Sequence, residues 1–227
     1  MSARSQWVEF NAPFEGRFNH MYLDIRGFVT TGVGNLIDPM SEAVKLPWLD
    51  RQGNLVSPNT VGTEWRRIKD STYLKDAGAK AAGRIATLHL SESAIDDLVL
   101  QHFDSDRVIL SRRFKMNDLP LNAQLAIHSM AWAMGAGFGY PAFTAAVNRG
   151  DWETAARESY IPDHTNAGLV PRNAKNRELL LSCLTQQPMA SVTMLPPSTT
   201  TPATSSTPTT NGRPSLITRL LQVLGLR

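Results

Sequence analysis

The segment Leu121–Met134 sets the tightest constraint on what this chain can fold into. Small residues (Ala123, Ala126, Ala131 and Ala133) alternate there with Leu125, Ile127, Met130 and Trp132, so that nearly every face of a helix drawn through it is apolar. A helix of that kind is stable only when packed on all sides. The prediction is a helical bundle with this segment at its centre. A chain of 227 residues is long enough to build a self-sufficient core around it. Cys183 is the single cysteine, which removes intramolecular disulfides, Cys-cluster zinc sites and CxxC redox chemistry.

The composition changes near residue 187. Residues 187–214 are rich in Thr, Ser and Pro, as in LPPSTTTPATSSTPTT, and read as an extended linker. Residues 215–227 follow as a short amphipathic helix, with Leu216, Leu220, Val223 and Leu224 on one side and Arg219 and Arg227 beside them. That helix is read either as a docking or membrane-surface element or as a tail folding back on its own domain. The linker and the helix also hold the charge excess. Beyond Gln186 there is no acid, and removing Arg213, Arg219 and Arg227 leaves 20 basic against 20 acidic residues in the body. A neutral body argues against nucleic acid as a partner. No apolar run approaches the roughly 20 residues of a bilayer-spanning helix, and the N-terminal MSARSQWVEF lacks a signal-peptide core.

Residues 1–186 read as one domain, α+β and mostly helical. Trp7, Val8, Phe10 and Phe14 mark a first helix that stops around residues 14–16. The following MYLDIRGFVTTGVGNL has Gly27 between two short runs rich in Tyr, Val and Thr, which is a hairpin signal. Amphipathic helices are predicted over 63–69, 91–102 and 151–160, the second started by Ser93 with Asp96 three residues on. The histidines His20, His89, His102, His128 and His164 show no metal-ligand spacing, and neither a metal nor a cofactor is implied. His128 on the apolar helix is read as a hydrogen-bonded core residue.

The chemistry-bearing candidates are Glu15 at the end of the first helix, Asp24 at the end of the first strand, and Thr30 on the returning strand. One chain reversal lets the two acids face each other across a cleft. Glycoside cleavage needs such a pair: one carboxyl protonates the leaving oxygen while the other activates water or stabilises positive charge on the sugar. Spacing alone leaves a surface location for both acids as the default.

The whole segment FEGRFNHMYLDIRGFVTTGVGNL resembles the catalytic segment of phage-type lysozymes, glycoside hydrolase family twenty-four. The matching elements are Glu15-Gly16, Tyr22, Asp24, Gly27, Phe28-Val29, Thr30 and Gly32-Val33-Gly34, without insertion or deletion. SMAWAMG at residues 129–135 is similar to the helix that lines the family's cleft. Phe143, Asp151-Trp152, Ala155-Ala156, Asn166 and Pro171-Arg172-Asn173-Ala174-Lys175 follow in the order of its C-terminal lobe. The resemblance implies a two-lobed phage-lysozyme-like fold, with a small N-terminal β-hairpin lobe joined by a long helix to a C-terminal helical lobe. It implies hydrolysis of the β-1,4 bond between N-acetylmuramic acid and N-acetylglucosamine, usually with inversion. Glu15 would be the general acid, Asp24 the second carboxylate, and Thr30 the residue that positions water. Gly32, Leu36, Trp132, Glu158 and Arg172 would meet the glycan strand, with Arg172 also a candidate to orient Glu15.

Departures from the family pattern are Asn35 in place of a common His, Ala133 in place of a polar residue, and a different connection over residues 37–69. The expected protein is a monomer made without a signal peptide. It would act in the periplasm or cell wall after holin-type release, tail delivery or secretion. The rival readings are an inactive peptidoglycan-binding or structural component of a phage particle or secretion assembly, a chitin- or chitosan-cleaving glycosidase, and a lytic transglycosylase.

Overall fold

The computed structural model describes residues 1–164 and 166–186. The linker over 187–214 and the helix over 215–227 lie outside the described residues. The order is α1 (Ala3–Asn11), a 3-10 turn (Ala12–Phe14), β1 (Phe18–Leu23), β2 (Val29–Gly32), β3 (Asn35–Leu36), α2 (Met40–Ala43), α3 (Pro58–Asp70), α4 (Leu74–Ala77), α5 (Ala79–Ile85), α6 (Glu92–Leu110), α7 (Leu121–Met134), α8 (Pro141–Arg149), α9 (Trp152–Glu158), α10 (Leu169–Ser182) and a closing 3-10 turn (Cys183–Gln186). The fold is α+β and mostly helical, with one antiparallel sheet in the order β1-β2-β3.

The elements pack in two groups. The strands hold α3, α4 and α5, with α2 against α3, and α7 to α10 pack together with α1. α6 belongs to both. Nineteen residues give it a length of roughly 28 Å. Its first turns meet the hairpin through Arg17, which pairs with Glu92 and Asp96 at 2.7 Å each. Further along, Phe103 packs on Trp7 of α1 with ring centroids 5.4 Å apart. α6 starts two residues earlier than Ser93 suggests: the Ser91 hydroxyl accepts the Ala94 N–H at 3.1 Å and leaves Ser93 inside the first turn.

α7 is the buried centre that its apolar character requires. Every side chain from Leu125 to Ala133 is shut off from solvent, and α1, α6 and α10 cover it. Ile127 and Met130 are at 0% exposure, and each such burial contributes about 1.5–3 kcal/mol. His128 is in this core, with its ring stacked on Phe103 at 3.7 Å. Among the described residues its Nε2 finds no hydrogen-bond partner, contrary to expectation. Burial pushes its pKa down to about 3, so the ring stays neutral and packs as an aromatic.

The hairpin is built by three local devices. Asp24 closes the β1–β2 turn, where Gly27 takes φ +81. Gly34 at φ +78 makes the turn into β3. Lys69 of α3 then clamps the first turn, donating to the Gly27 carbonyl at 2.9 Å and to Asp38 Oδ2 at 2.5 Å, while Asp38 accepts the Val29 N–H. Asn35 accepts the Val33 N–H at 3.2 Å and so secures its own turn.

Gly32 is confined by the same turn. Its φ is +62, and a Cβ would stand 2.9 Å from Asn35 Oδ1, with Ile95 and Leu98 of α6 behind it. Gly32→Ala is therefore expected to cost about 1–2 kcal/mol from the left-handed backbone alone. Displacement of the Asn35 side chain from Val33 adds to this. Urea unfolding should show a lower midpoint at an unchanged slope.

Candidate active site

α1 begins with a reciprocal cap between Ser2 and Ser5, and its regular hydrogen bonding gives way to the 3-10 turn at Pro13. That turn delivers Glu15 in extended conformation beneath the helical group. The Glu15 side chain is only 7% exposed. Arg172 of α10, itself 2% exposed, donates from Nη2 to Glu15 Oε1 at 2.5 Å. The guanidinium is fixed on its other side: Nη1 donates to Asn11 Oδ1 at 3.2 Å and Ser129 Oγ at 3.1 Å. Phe14 lies against its face, 4.7 Å from the ring centroid. The net effect on Glu15 is a pKa raised above the ordinary carboxyl value. Burial is the largest cause, and Arg172, then the Trp132 side chain as a hydrogen-bond partner, then His102 pull the other way. A carboxyl that holds its proton longer than usual suits a general acid.

The second carboxyl comes from the hairpin. Antiparallel pairing sets Tyr22 opposite Thr30 and Thr30 opposite Leu36. Asp24 follows the end of β1 at the turn, where its N–H donates to the Phe28 carbonyl at 2.9 Å. Asp24 Oδ1 accepts the backbone N–H groups of Arg26 and Phe28, both at 2.8 Å. Oδ2 receives no hydrogen bond from the described residues, although Asp24 as a whole is 2% exposed. The Thr30 hydroxyl donates to the Phe28 carbonyl at 3.2 Å, which leaves its oxygen as an acceptor. Burial is the main cause that raises the pKa of the Tyr22 phenol, and the negative charges of Asp24 and Glu15 act in the same direction.

No protein-family model and no curated protein matches the chain. Among solved structures it is similar to the active form of the P1 phage endolysin Lyz, with 18% identity over 81% of this chain and 85% of that one and a TM-score of 0.45. At that level the likeness assigns neither an activity nor a residue role.

The expected glycan contacts divide into those near the pair and those elsewhere. Leu36 is 53% exposed and paired opposite Thr30, an apolar surface at that position of the sheet. Arg172 is spent on Glu15, Asn11 and Ser129, and its burial makes it an orienting partner rather than a sugar contact. Trp132 is 5% exposed, with Trp7 and His102 against it at 5.8 and 4.4 Å, so it meets Glu15 from inside the core and offers no free face for stacking. Gly32 is turned toward Asn35 and α6. Glu158, at the end of α9, pairs with Arg157 at 3.1 Å.

Sequence reasoning did not find Asn11 and Ser129, the two acceptors that hold Arg172. Their signal is faint, because a buried Asn at a helix end and a Ser inside an apolar helix both read as packing until a distant Arg arrives. Among the described residues, no group of three or more His, Cys, Asp or Glu side chains is arranged to hold a metal ion. No described helix is long and apolar enough to cross a membrane.

Proposed function

We propose that this chain is a peptidoglycan muramidase that hydrolyses the β-1,4 bond between N-acetylmuramic acid and N-acetylglucosamine by acid/base catalysis with inversion. The observation that carries the reading is the contrast between the surroundings of two carboxyls. Glu15 is buried, proton-retaining and held by an arginine. Asp24 is anchored through one oxygen by two backbone N–H groups, while the other oxygen receives no hydrogen bond from the described residues. Opposite environments for two acids are what division of labour between acid and base requires.

In the proposed reaction Glu15 gives its proton to the glycosidic oxygen as the bond to the anomeric carbon breaks. Asp24 Oδ2 takes a proton from the water whose oxygen forms the new bond to that carbon. The Thr30 oxygen, its own proton committed to the Phe28 carbonyl, accepts the water's second hydrogen and orients the lone pair. The products are a new reducing end and a free hydroxyl, and atoms and charge balance once Asp24 gives its proton to solvent and Glu15 takes one back from it. The site of action is the cell wall or periplasm, reached by holin-type release, tail carriage or secretion, and the working unit is a monomer.

Mass spectrometry of the products released from purified peptidoglycan tests the reading. Hydrolysis predicts reducing muramic acid ends. Anhydro-sugar ends would replace it with a transglycosylase, and absence of any product would leave a binding or structural component. Asp24→Asn keeps an acceptor for the two N–H groups but has no basic oxygen, and should lower turnover by about 10²-fold or more.

A further inference from the structure

The connection between α6 and α7, residues 111–120, and the junction of α8 with α9 line an open cleft of about 940 Å³. Its shape is held from both sides. Arg113 donates from both Nη atoms to the carbonyls of Phe138 and Ala136 and lies over the Phe138 ring, 4.7 Å from its centroid. Asn148 of α8 donates across to the Arg113 carbonyl at 3.0 Å. Phe114, Val147 and Trp152 also line the cleft and are buried.

The charges around the cleft are one-sided. Arg112, Arg113, Lys115 and Arg149 line it against a single acid, Asp118. Residues 1–186 are balanced at 20 basic and 20 acidic residues, so the rest of the body carries 16 basic and 19 acidic ones. Among the described residues no carboxylate pairs with Arg112, Arg113 or Lys115. Arg149 approaches Asp151 only to 3.9 Å, with its side chain 63% exposed. Like charges gathered in a concave wall reinforce one another's field and attract counter-ions into the cleft.

We propose that this cleft binds a linear polymer of repeating phosphodiester groups, a polyol-phosphate chain of the cell wall. Guanidinium and ammonium groups suit phosphate oxygens, and cations spread along an open groove suit charges that repeat rather than one small anion. The two aromatic residues of the lining are buried, so nucleic-acid bases have no face to stack on. A concave surface without an exposed aromatic likewise gives a lipid bilayer little to take up. That the polymer belongs to the wall rests on the muramidase reading, since a polyanion joined to the substrate would hold the enzyme on it between cleavages. The binding itself does not depend on that reading.

The test is calorimetric titration of the full chain with glycerol-phosphate oligomers at low and high salt, with inorganic phosphate, phosphatidylglycerol vesicles and a single-stranded oligonucleotide as rival ligands. Salt-sensitive binding that favours the oligomers is expected. Arg112→Gln combined with Lys115→Gln should weaken it by about tenfold, while turnover on phosphate-free glycan fragments and Tm keep their wild-type values. Lys75→Gln combined with Lys80→Gln removes the same charge from exposed positions of α4 and α5 and should leave binding within about twofold of wild type. Equal losses in the two double variants would reduce the attraction to net charge and overturn the site. Absence of oligomer binding, equal affinity for inorganic phosphate, or a preference for the vesicles or the oligonucleotide would overturn it as well. Oligomer binding by a wild type that releases no product from peptidoglycan would remove the muramidase reading and the wall origin of the polymer, and would leave the phosphate-binding cleft standing.

Discussion

Glu15→Gln is expected to reduce the release of reducing ends from peptidoglycan by about 10²- to 10⁴-fold, because an amide keeps the shape and the acceptor oxygen for Arg172 but has no proton to give. The stability of the same variant should carry an independent signature. The folded-state pKa of Glu15 is raised, chiefly by burial. Below the ordinary carboxyl value of about 4.3 the folded and unfolded chains both hold the proton, so the group contributes nothing to pH dependence. As the pH rises past that value the unfolded chain releases its proton first. Unfolding then gains, and the wild type loses stability until the pH has passed the raised folded value. The Gln variant lacks this loss. Urea unfolding from about pH 4 to 8 should therefore show wild type falling relative to the variant, on top of a pH-independent offset from exchanging a carboxyl for an amide beside Arg172. Parallel curves would mean that Glu15 titrates normally. Full activity in the variant would remove it from the acid role.

The two signatures connect the fold to the proposed reaction. A buried acid that costs stability at neutral pH is held in place by residues brought from α1, α7 and α10, and those residues show how much of the site was legible in advance. α7 was fully legible, since a segment apolar on all faces has one place to go, and its bounds are Leu121–Met134 in the structure. The hairpin was legible from Gly27 and its flanking strand formers, and the placement of Asp24 at the turn followed from it. The third strand, Asn35–Leu36, was not, because two residues carry no periodicity. α8 and α10 escaped for another reason. Pro141–Arg149 and Leu169–Ser182 draw their stability from contacts with α9 and α7, and such tertiary gain leaves little local pattern. The same holds for the Asn11, Ser129 and Arg172 cluster, whose members lie as much as 161 residues apart. Trp132 illustrates the converse error. An aromatic near a cleft suggests sugar stacking, but the rings of Trp7 and His102 already occupy its surroundings.

Arg172→Met should be the most damaging single change to the fold around the site. The side chain is 2% exposed, and its loss removes the donors serving Glu15 Oε1, Asn11 Oδ1 and Ser129 Oγ. Removing one member of a buried ion pair costs about 3–5 kcal/mol when the other stays charged. Glu15 has an escape in protonation, and this makes the cost depend on pH. Arg172 is the largest of the influences that lower the Glu15 pKa, so without it the carboxyl holds its proton to still higher pH. At acid pH, where Glu15 is neutral in both proteins, the destabilisation should be smaller and come from the unmatched Asn11 and Ser129 acceptors and the poorer packing on Phe14. Above the wild-type value it should grow toward the full figure, because the folded variant must then either keep a proton that the unfolded chain has lost or bury a lone carboxylate. Any residual turnover should have its alkaline limb displaced upward. Urea unfolding at acid and alkaline pH, set beside the pH profile of kcat/KM, measures both effects. A destabilisation that is the same at every pH, with an unmoved alkaline limb, would mean that Arg172 braces the helices without governing the proton on Glu15.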